Sequence, residues 1–221
     1  MNVTRIEVGV FESNCYLLTG GGSEALLVDP GADAPLIRSE IEAAGVRMAA
    51  VLLTHGHIDH LSALDELLRE QPVPVYMHPL DQAWAFGPTN GYPPFYPASA
   101  RAPADLRPLT DGQALELAGM RCVVIATPGH SPGGVCFHFP AEGELFTGDT
   151  LFQDTVGRTD LPGGDPRVLA ESMKKLARLP GPTRVRPGHG PETTIAAEIL
   201  HNYFMTAAAR SARGPARPEP D

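Results

Sequence analysis

The chain has 221 residues, enough for one large domain or two small ones and for a sizeable buried core. Its composition, 43% hydrophobic and 19% charged, is that of an ordinary globular protein and excludes a disordered one. A net charge of −9 argues against a general nucleic-acid binder, and no apolar run reaches membrane-spanning length. The opening Met1-Asn2-Val3-Thr4-Arg5-Ile6-Glu7 lacks the basic start and apolar block of a signal peptide, so a cytoplasmic location is expected.

The chain reads as short elements closed by sharp turns. Gly and Pro number 23 each and gather at the ends of apolar runs, as in Asp29-Pro30-Gly31, Thr127-Pro128-Gly129 and Arg186-Pro187-Gly188. Alternation predicts strands over 3–11 and 15–19 with a turn marked by Asn14, then a Gly20-Gly21-Gly22-Ser23 hairpin loop and a buried strand over 25–28. Leu36, Ile37, Ile41 and Ala44 fall at helical spacing, which predicts a helix over 34–44 with Pro35 in its first turn and Gly45 as its stop. A strand over 49–53 leads into Thr54-His55-Gly56-His57-Ile58-Asp59-His60, followed by a helix over 61–71 and a strand over 73–77.

Residues 79–108 are rich in Pro and carry Trp84, Phe86, Tyr92, Phe95 and Tyr96. They read as a long connection, either a lid or a loop packed by its own aromatics. Strands are expected over 114–117 and 120–126, turning at Ala118-Gly119, and again over 135–139 and 144–147. Asp165 caps a helix that has Pro166 at its first position and runs to about Leu179. A strand over 183–186 and a final helix from Glu192 to about Arg210 complete one domain, residues 1–210, ahead of a tail over 211–221 expected to fray. This order predicts a layered α/β protein with helices covering two sheets. Cys15, Cys122 and Cys136 lie in apolar runs and read as small buried hydrophobes.

Metal-ligating residues crowd the His motif, where three imidazoles and a carboxylate share six positions. The same residue types recur just beyond other predicted strands: His130 after 120–126, Asp149 after 144–147 and His189 after 183–186. His55, His57, Asp59, His60, His130, Asp149 and His189 exceed what one tetrahedral ion takes. They suit two ions sharing a carboxylate, about 3.5–4 Å apart in two-metal hydrolytic sites. The donors are all nitrogen and oxygen, so two divalent ions are expected, zinc first, with iron or manganese also accommodated. Among the other histidines, His78 reads as a cap or surface residue, and His138 and His201 as structural.

The set Thr54-His55-Gly56-His57-Ile58-Asp59-His60, Thr127-Pro128-Gly129-His130-Ser131, Thr147-Gly148-Asp149 and Pro187-Gly188-His189-Gly190 resembles the metallo-β-lactamase fold superfamily. Within it, Gly157-Arg158-Thr159-Asp160-Leu161-Pro162 and Gly188-His189-Gly190-Pro191-Glu192-Thr193-Thr194 are similar to the small glyoxalase II-like (hydroxyacylglutathione hydrolase-like) enzymes. The resemblance implies an αββα sandwich with metals at one edge. His55, His57 and His130 then hold one ion, Asp59, His60 and His189 the other, and Asp149 bridges them. The implied reaction is hydrolysis of a small-molecule thioester such as S-lactoylglutathione by metal-bound hydroxide, oriented by Asp59. No nucleic-acid or membrane partner is implied. True β-lactamases of this fold generally carry Cys where Asp149 stands, which disfavours β-lactam hydrolysis. Arg158 and Tyr92 are the candidates for substrate contact, although Arg158 with Asp160 reads first as a pair that fixes its loop. The alternative is a persulfide dioxygenase of the same fold, with one iron on His55, His130 and Asp149.

Overall fold

Leu17 and Leu18 face opposite sides of one strand, as do Leu26 and Leu27 in the next, and this two-residue period sets the layering. The computed structural model describes residues 1–96 and 102–212. Strands β1 (Asn2–Val8), β2 (Ser13–Thr19), β3 (Glu24–Val28), β4 (Arg47–Leu52), β5 (Val75–Met77) and β6 (Leu106–Pro108) form a six-stranded sheet in sequence order. The remaining strands are β7 (Ala114–Leu117), β8 (Met120–Ala126), β9 (Val135–Phe139), β10 (Glu144–Gly148), a small hairpin of β11 (Leu151–Phe152) and β12 (Thr155–Val156), then β13 (Arg184–Pro187) and β14 (Thr193–Thr194). Apart from the hairpin they make a second six-stranded sheet in the order β14-β13-β10-β9-β8-β7.

Tyr16, Leu18, Leu26 and Leu52 of the first sheet meet Val124, Phe137, Phe139 and Phe146 of the second in a shared core. Fully burying one such side chain contributes about 1.5–3 kcal/mol. The opposite face of the first sheet, through Leu17, Leu27 and Val51, packs on α1 (Ala34–Ala43) and α2 (Leu64–Glu70) by way of Ile37, Ile41, Leu64 and Leu67. A short helix, α3 (Pro79–Ala85), follows β5. The outer face of the second sheet, through Cys136, Leu145 and Val185, packs on α4 (Pro166–Leu176), α5 (Ile195–His201) and α6 (Tyr203–Ala212) by way of Leu169, Met173, Ile195 and Met205. The result is the expected αββα sandwich.

Strand direction gathers the chemistry at one rim. β4 is parallel to β3 and β5, and β13 is parallel to β10. β8 and β10 both pair antiparallel with β9, so they share a direction. The sheets are stitched there: Val135 N–H donates to Thr54 O at 2.8 Å and Asn14 N–H to Gly188 O at 2.7 Å. An antiparallel bridge also pairs Ser13 with His189.

Several local expectations change. The first strand ends at Val8, because Gly9 (φ 68°) and Glu12 (φ 54°) turn the chain through left-handed conformations. Asn14 is not a turn residue. It lies inside β2, buried, and donates to Pro187 O at 3.0 Å and Gly190 O at 2.9 Å. Leu36 is exposed and Ala34 takes its place on the buried face of α1. Before α2 the chain makes a 3-10 turn over Ile58–His60, so the helix starts later than predicted.

The stretch 79–108 is not one long loop. It holds α3, β6 and a Tyr92–Tyr96 bridge, and its residues 97–101 lie outside the described residues. The hairpin of β11 and β12 is too short to show alternation and was not predicted. The final helix is two, broken at Asn202, whose extended backbone ends α5. Asn202 Oδ1 accepts from Phe204 N–H at 3.0 Å and caps α6. Asp165 caps α4 as expected, accepting from Arg167 and Val168 N–H, and the helix ends at Leu176. α6 includes Ser211 and Ala212, and the rest of the expected tail, 213–221, lies outside the described residues. The three cysteines are buried, and His78 caps α3 through Leu80 N–H. No helix among the described residues is long and apolar enough to cross a membrane.

Candidate metal centre

The His motif leaves β4 and splits in two. His57 is still extended (φ −67°, ψ 144°), and the 3-10 turn that follows swings Asp59 and His60 away from the first two histidines. His130 arrives from the loop after β8, Asp149 from the end of β10 and His189 from the end of β13. Ligand atoms of His55, His57 and His130 all lie within 4.8 Å of one another, and so do those of Asp59, His60 and His189. Asp149 sits between these triads. Its Oδ1 is 3.3 Å from His60 Nε2, and its Oδ2 is 3.6 Å from His130 Nε2 and 3.7 Å from His189 Nε2. The structure therefore brings all seven predicted residues together.

A second layer aims the rings. His130 Nδ1–H donates to Arg158 O at 2.8 Å, His189 Nδ1–H to Phe11 O at 2.9 Å and His60 Nδ1–H to Asp29 Oδ2 at 3.2 Å. Each bond leaves the Nε2 lone pair pointing inward, the tautomer a metal ligand needs. His55 Nδ1 lies 3.0 Å from Thr54 Oγ1, and that hydroxyl donates to Asp29 Oδ2 at 2.6 Å.

Three inward atoms lack partners, whereas His57 Nδ1 and His130 Nε2 lie 2.9 Å apart. His55 Nε2, His60 Nε2 and Asp149 Oδ1 are buried without a hydrogen bond. Leaving such groups unsatisfied costs about 1–3 kcal/mol each, and divalent cations offset that cost, so the residues fit the metals their pattern implies. Gly188 adds a steric condition. A Cβ there would meet Asp149 Oδ1 and lie 2.7 Å from His60 Cε1.

Burial, then the neighbouring imidazoles, lower the basicity of His55. Burial, then His130, bring His57 down to about 4. Burial opposes ionisation of Asp59 and Asp149, but the facing imidazoles, His60 foremost and His189 with it, together outweigh it and both carboxyls lie well below their usual range. Burial would also lower His60, yet the Asp59 and Asp149 carboxylates raise it. Ionised carboxylates and neutral His55 and His57 are the forms that bind metal.

Two buried carboxylates were not among the predicted residues. Asp29 accepts from Thr54 N–H at 2.8 Å besides its bonds to Thr54 Oγ1 and His60. Its position directly after the apolar strand 25–28 repeats the strand-end pattern of the ligands, so the signal was present in the sequence. Asp81, in α3, binds the loops on either side of the first triad and had no such signal.

The centre opens into a cleft of about 850 Å³, walled by Phe11, Trp84, Tyr92 and Leu161. Tyr92, 55% exposed, meets the Phe11 ring edge-on at 5.1 Å. Both substrate-contact candidates line this cleft. Arg158 also pairs with Asp160 through two 2.7 Å bonds, which hold the Asp160 carboxyl at about 2, so the loop-fixing reading stands beside the contact reading.

A model of the metallo-beta-lactamase superfamily matches residues 8–189. A probable metallo-hydrolase of Bacillus subtilis, YqgX, is 38% identical over 208 residues, covering 93% of this chain and 98% of the relative. The hydroxyacylglutathione hydrolase GloC of Haemophilus influenzae is 34% identical, covering 94% and 99%. Among solved structures, the B3 metallo-beta-lactamase BLEG-1 superposes with a TM-score of 0.87 at 39% identity, covering 93% of this chain and all of that one. TTHA1623, solved in a di-iron-bound form, superposes at 0.81 with 39% identity, covering 91% and 100%. With a match over most of its length and relatives of this identity, the chain belongs to the metallo-beta-lactamase superfamily.

Proposed function

We propose that the protein is a two-metal hydrolase of thioesters, with glutathione thioesters such as S-lactoylglutathione as its substrate class. In this reading His55, His57 and His130 hold one ion, Asp59, His60 and His189 the other, and Asp149 contacts both. The observation that carries it is the pair of inward-facing triads meeting at Asp149 on the floor of an open cleft. The hydrolase names of the Bacillus and Haemophilus relatives support it. Zinc is our first assignment, and iron or manganese suits the same donors. The partner is a small molecule rather than nucleic acid or membrane, in keeping with the −9 charge, and a cytoplasmic location goes with it.

When bound, the ions supply a Lewis acid for the thioester carbonyl and a water acidified to near neutrality. The Asp59 carboxylate, held by Ser13 Oγ–H at 3.1 Å, orients the attacking water. Phe11, Trp84 and Tyr92 cover the apolar part of the substrate and exclude water from it. A thiol of pKa about 8–9 leaves as thiolate without a strong general acid.

The identity to a B3 β-lactamase favours β-lactam hydrolysis as a second reading, although Asp149 stands where Cys was expected for that activity. Metal analysis of the purified protein, paired with thiol release from S-D-lactoylglutathione, tests the proposal. Two ions with thiol release support it. Two ions with turnover of a β-lactam alone move the assignment to the second reading. One iron, with oxygen uptake on glutathione persulfide, sinks both.

A further inference from the structure

Asp81 touches no candidate ligand, yet it joins both loops that carry the first triad. Its Oδ2 accepts from Gly56 N–H at 2.9 Å and from Ser131 Oγ–H at 2.7 Å. Its Oδ1 accepts from Gly133 N–H at 2.6 Å and Trp84 Nε1–H at 3.3 Å. Gly56 lies between His55 and His57, and Ser131 follows His130. The next peptide of the same glycine is held as well, where Asn90 Nδ2 donates to Gly56 O at 2.8 Å. Asp81 is fully buried, and the fit is close: a Cβ on Gly133 would lie 2.8 Å from its Cγ. The second triad has other supports, Ser13 Oγ on Asp59 and Phe11 O on His189.

We propose that Asp81 is a positioning residue for the first ion alone: by clamping the Gly56 peptide to Ser131 and Gly133, it holds His55, His57 and His130 at ligating separation. The proposal rests on the two-ion reading above. The chemistry requires a carboxylate, because each oxygen takes two donors. An amide at this position offers one acceptor oxygen and turns its own N–H₂ toward groups that are themselves donors. Trp84, the chain's single tryptophan, reports on this half of the centre, since its ring lies 5.3 Å from that of His57 and its Nε1–H is bound by Asp81.

The test titrates the metal-free full-length chain with Co²⁺, following heat and Trp84 fluorescence together. Wild type is expected to take two Co²⁺ per chain, with quenching of Trp84 tracking the first-triad ion. In Asp81→Asn that ion weakens about 10–100-fold, the usual effect of losing a group that orients ligands, and the quenching shifts with it while the other ion keeps its affinity. Ser131→Ala weakens the same ion to a smaller degree. Ser13→Ala weakens only the other. If Asp81→Asn loses the circular dichroism of the wild type, Ser131→Ala decides. Wild-type affinities at both ions in the folded variant, or a loss spread equally over both, overturn the role of Asp81. A wild-type chain that takes only one Co²⁺ overturns the two-ion reading itself.

Discussion

His55, His57 and His130 hang from loops tied to a carboxylate buried in α3, whereas Asp59 leans on the buried Ser13 hydroxyl at the start of β2 and His189 on the Phe11 carbonyl in the turn between β1 and β2. That turn is exposed, and Phe11, 40% exposed, presents its ring to the cleft while its carbonyl holds His189. One half of the centre is therefore braced from inside the protein. In the other, Asp59 and His60 are also held from inside, by Ser13 and Asp29, and only His189 is braced by a segment that walls the cleft. The difference teaches that perturbing the main chain of the cleft wall acts first on His189, and perturbing the network around Asp81 acts first on the first triad.

The largest expected effect removes what the halves share. Asp149→Asn lowers thioester hydrolysis by about a thousandfold, on the order of 4 kcal/mol of transition-state stabilisation, and weakens both ions in a metal titration. Retention of two tight ions by this variant would show that the triads do not meet at Asp149. Next is Asp29→Ala. It strands Thr54 N–H and the Nδ1–H of His60, each a loss of about 1–3 kcal/mol, and reaches His55 through Thr54 Oγ1. Chemical denaturation is expected to show this loss, and metal titration a weakening at both triads. A weakening confined to one separates the halves more sharply than the geometry does.

Acid and base act on different residues of the metal-free protein. His57 is depressed to about 4, so below its unfolded value of 6.5 the unfolded chain takes up a proton that the folded one refuses. Its contribution is present above pH 6.5 and lost as pH falls toward 4. His55 acts in the same sense. His60 and His189 are raised, so theirs are present below 6.5 and lost as pH rises through their folded values. The melting temperature of the metal-free protein is therefore expected to peak near pH 6.5, and a scan from pH 4 to 9 checks it. A melting temperature that climbs steadily across that range contradicts the opposed shifts.

Smaller effects test the wall. Phe11→Ala removes an aromatic contact worth about 0.5–1.5 kcal/mol but keeps the carbonyl that holds His189. KM is expected to rise a fewfold with Co²⁺ affinity unchanged. A loss of metal affinity instead means that the ring, not the main chain, braces the second triad. Arg158→Ala is expected to change least. Its pair with Asp160 is solvent-exposed and therefore weak, and its carbonyl still accepts from His130. A KM increase beyond about tenfold, which is 1.4 kcal/mol, would make Arg158 a substrate contact in its own right.

The candidate ligands were legible because they share a local signature. Each lies just beyond a predicted strand end, where a short loop projects a side chain without burying unsatisfied backbone. Asp29 carries that signature too, although Pro30 and Gly31 made it read as a turn. Asn14 was misread because a polar residue between apolar ones marks a turn locally, and only its partners Pro187 O and Gly190 O, far along the chain, show why it is buried in a strand. α3 was hidden among prolines and aromatics, and its seven residues are too short for a convincing period.

The sequence by itself determined the layers and the donor set, since both follow from short-range patterns: two-residue alternation in strands and His or Asp beyond their ends. The resemblance implied how the candidate ligands divide, but only the tertiary structure decided the geometry of that division and what holds each group. That division depends on the 3-10 turn at Ile58–His60, on the meeting of two sheets at Thr54 and Val135, and on Asp81, whose bonds to Ser131 and Gly133 span about fifty positions. A carboxylate that bridges loops so distant leaves no trace in its own neighbourhood, because its partners are chosen by packing and not by spacing.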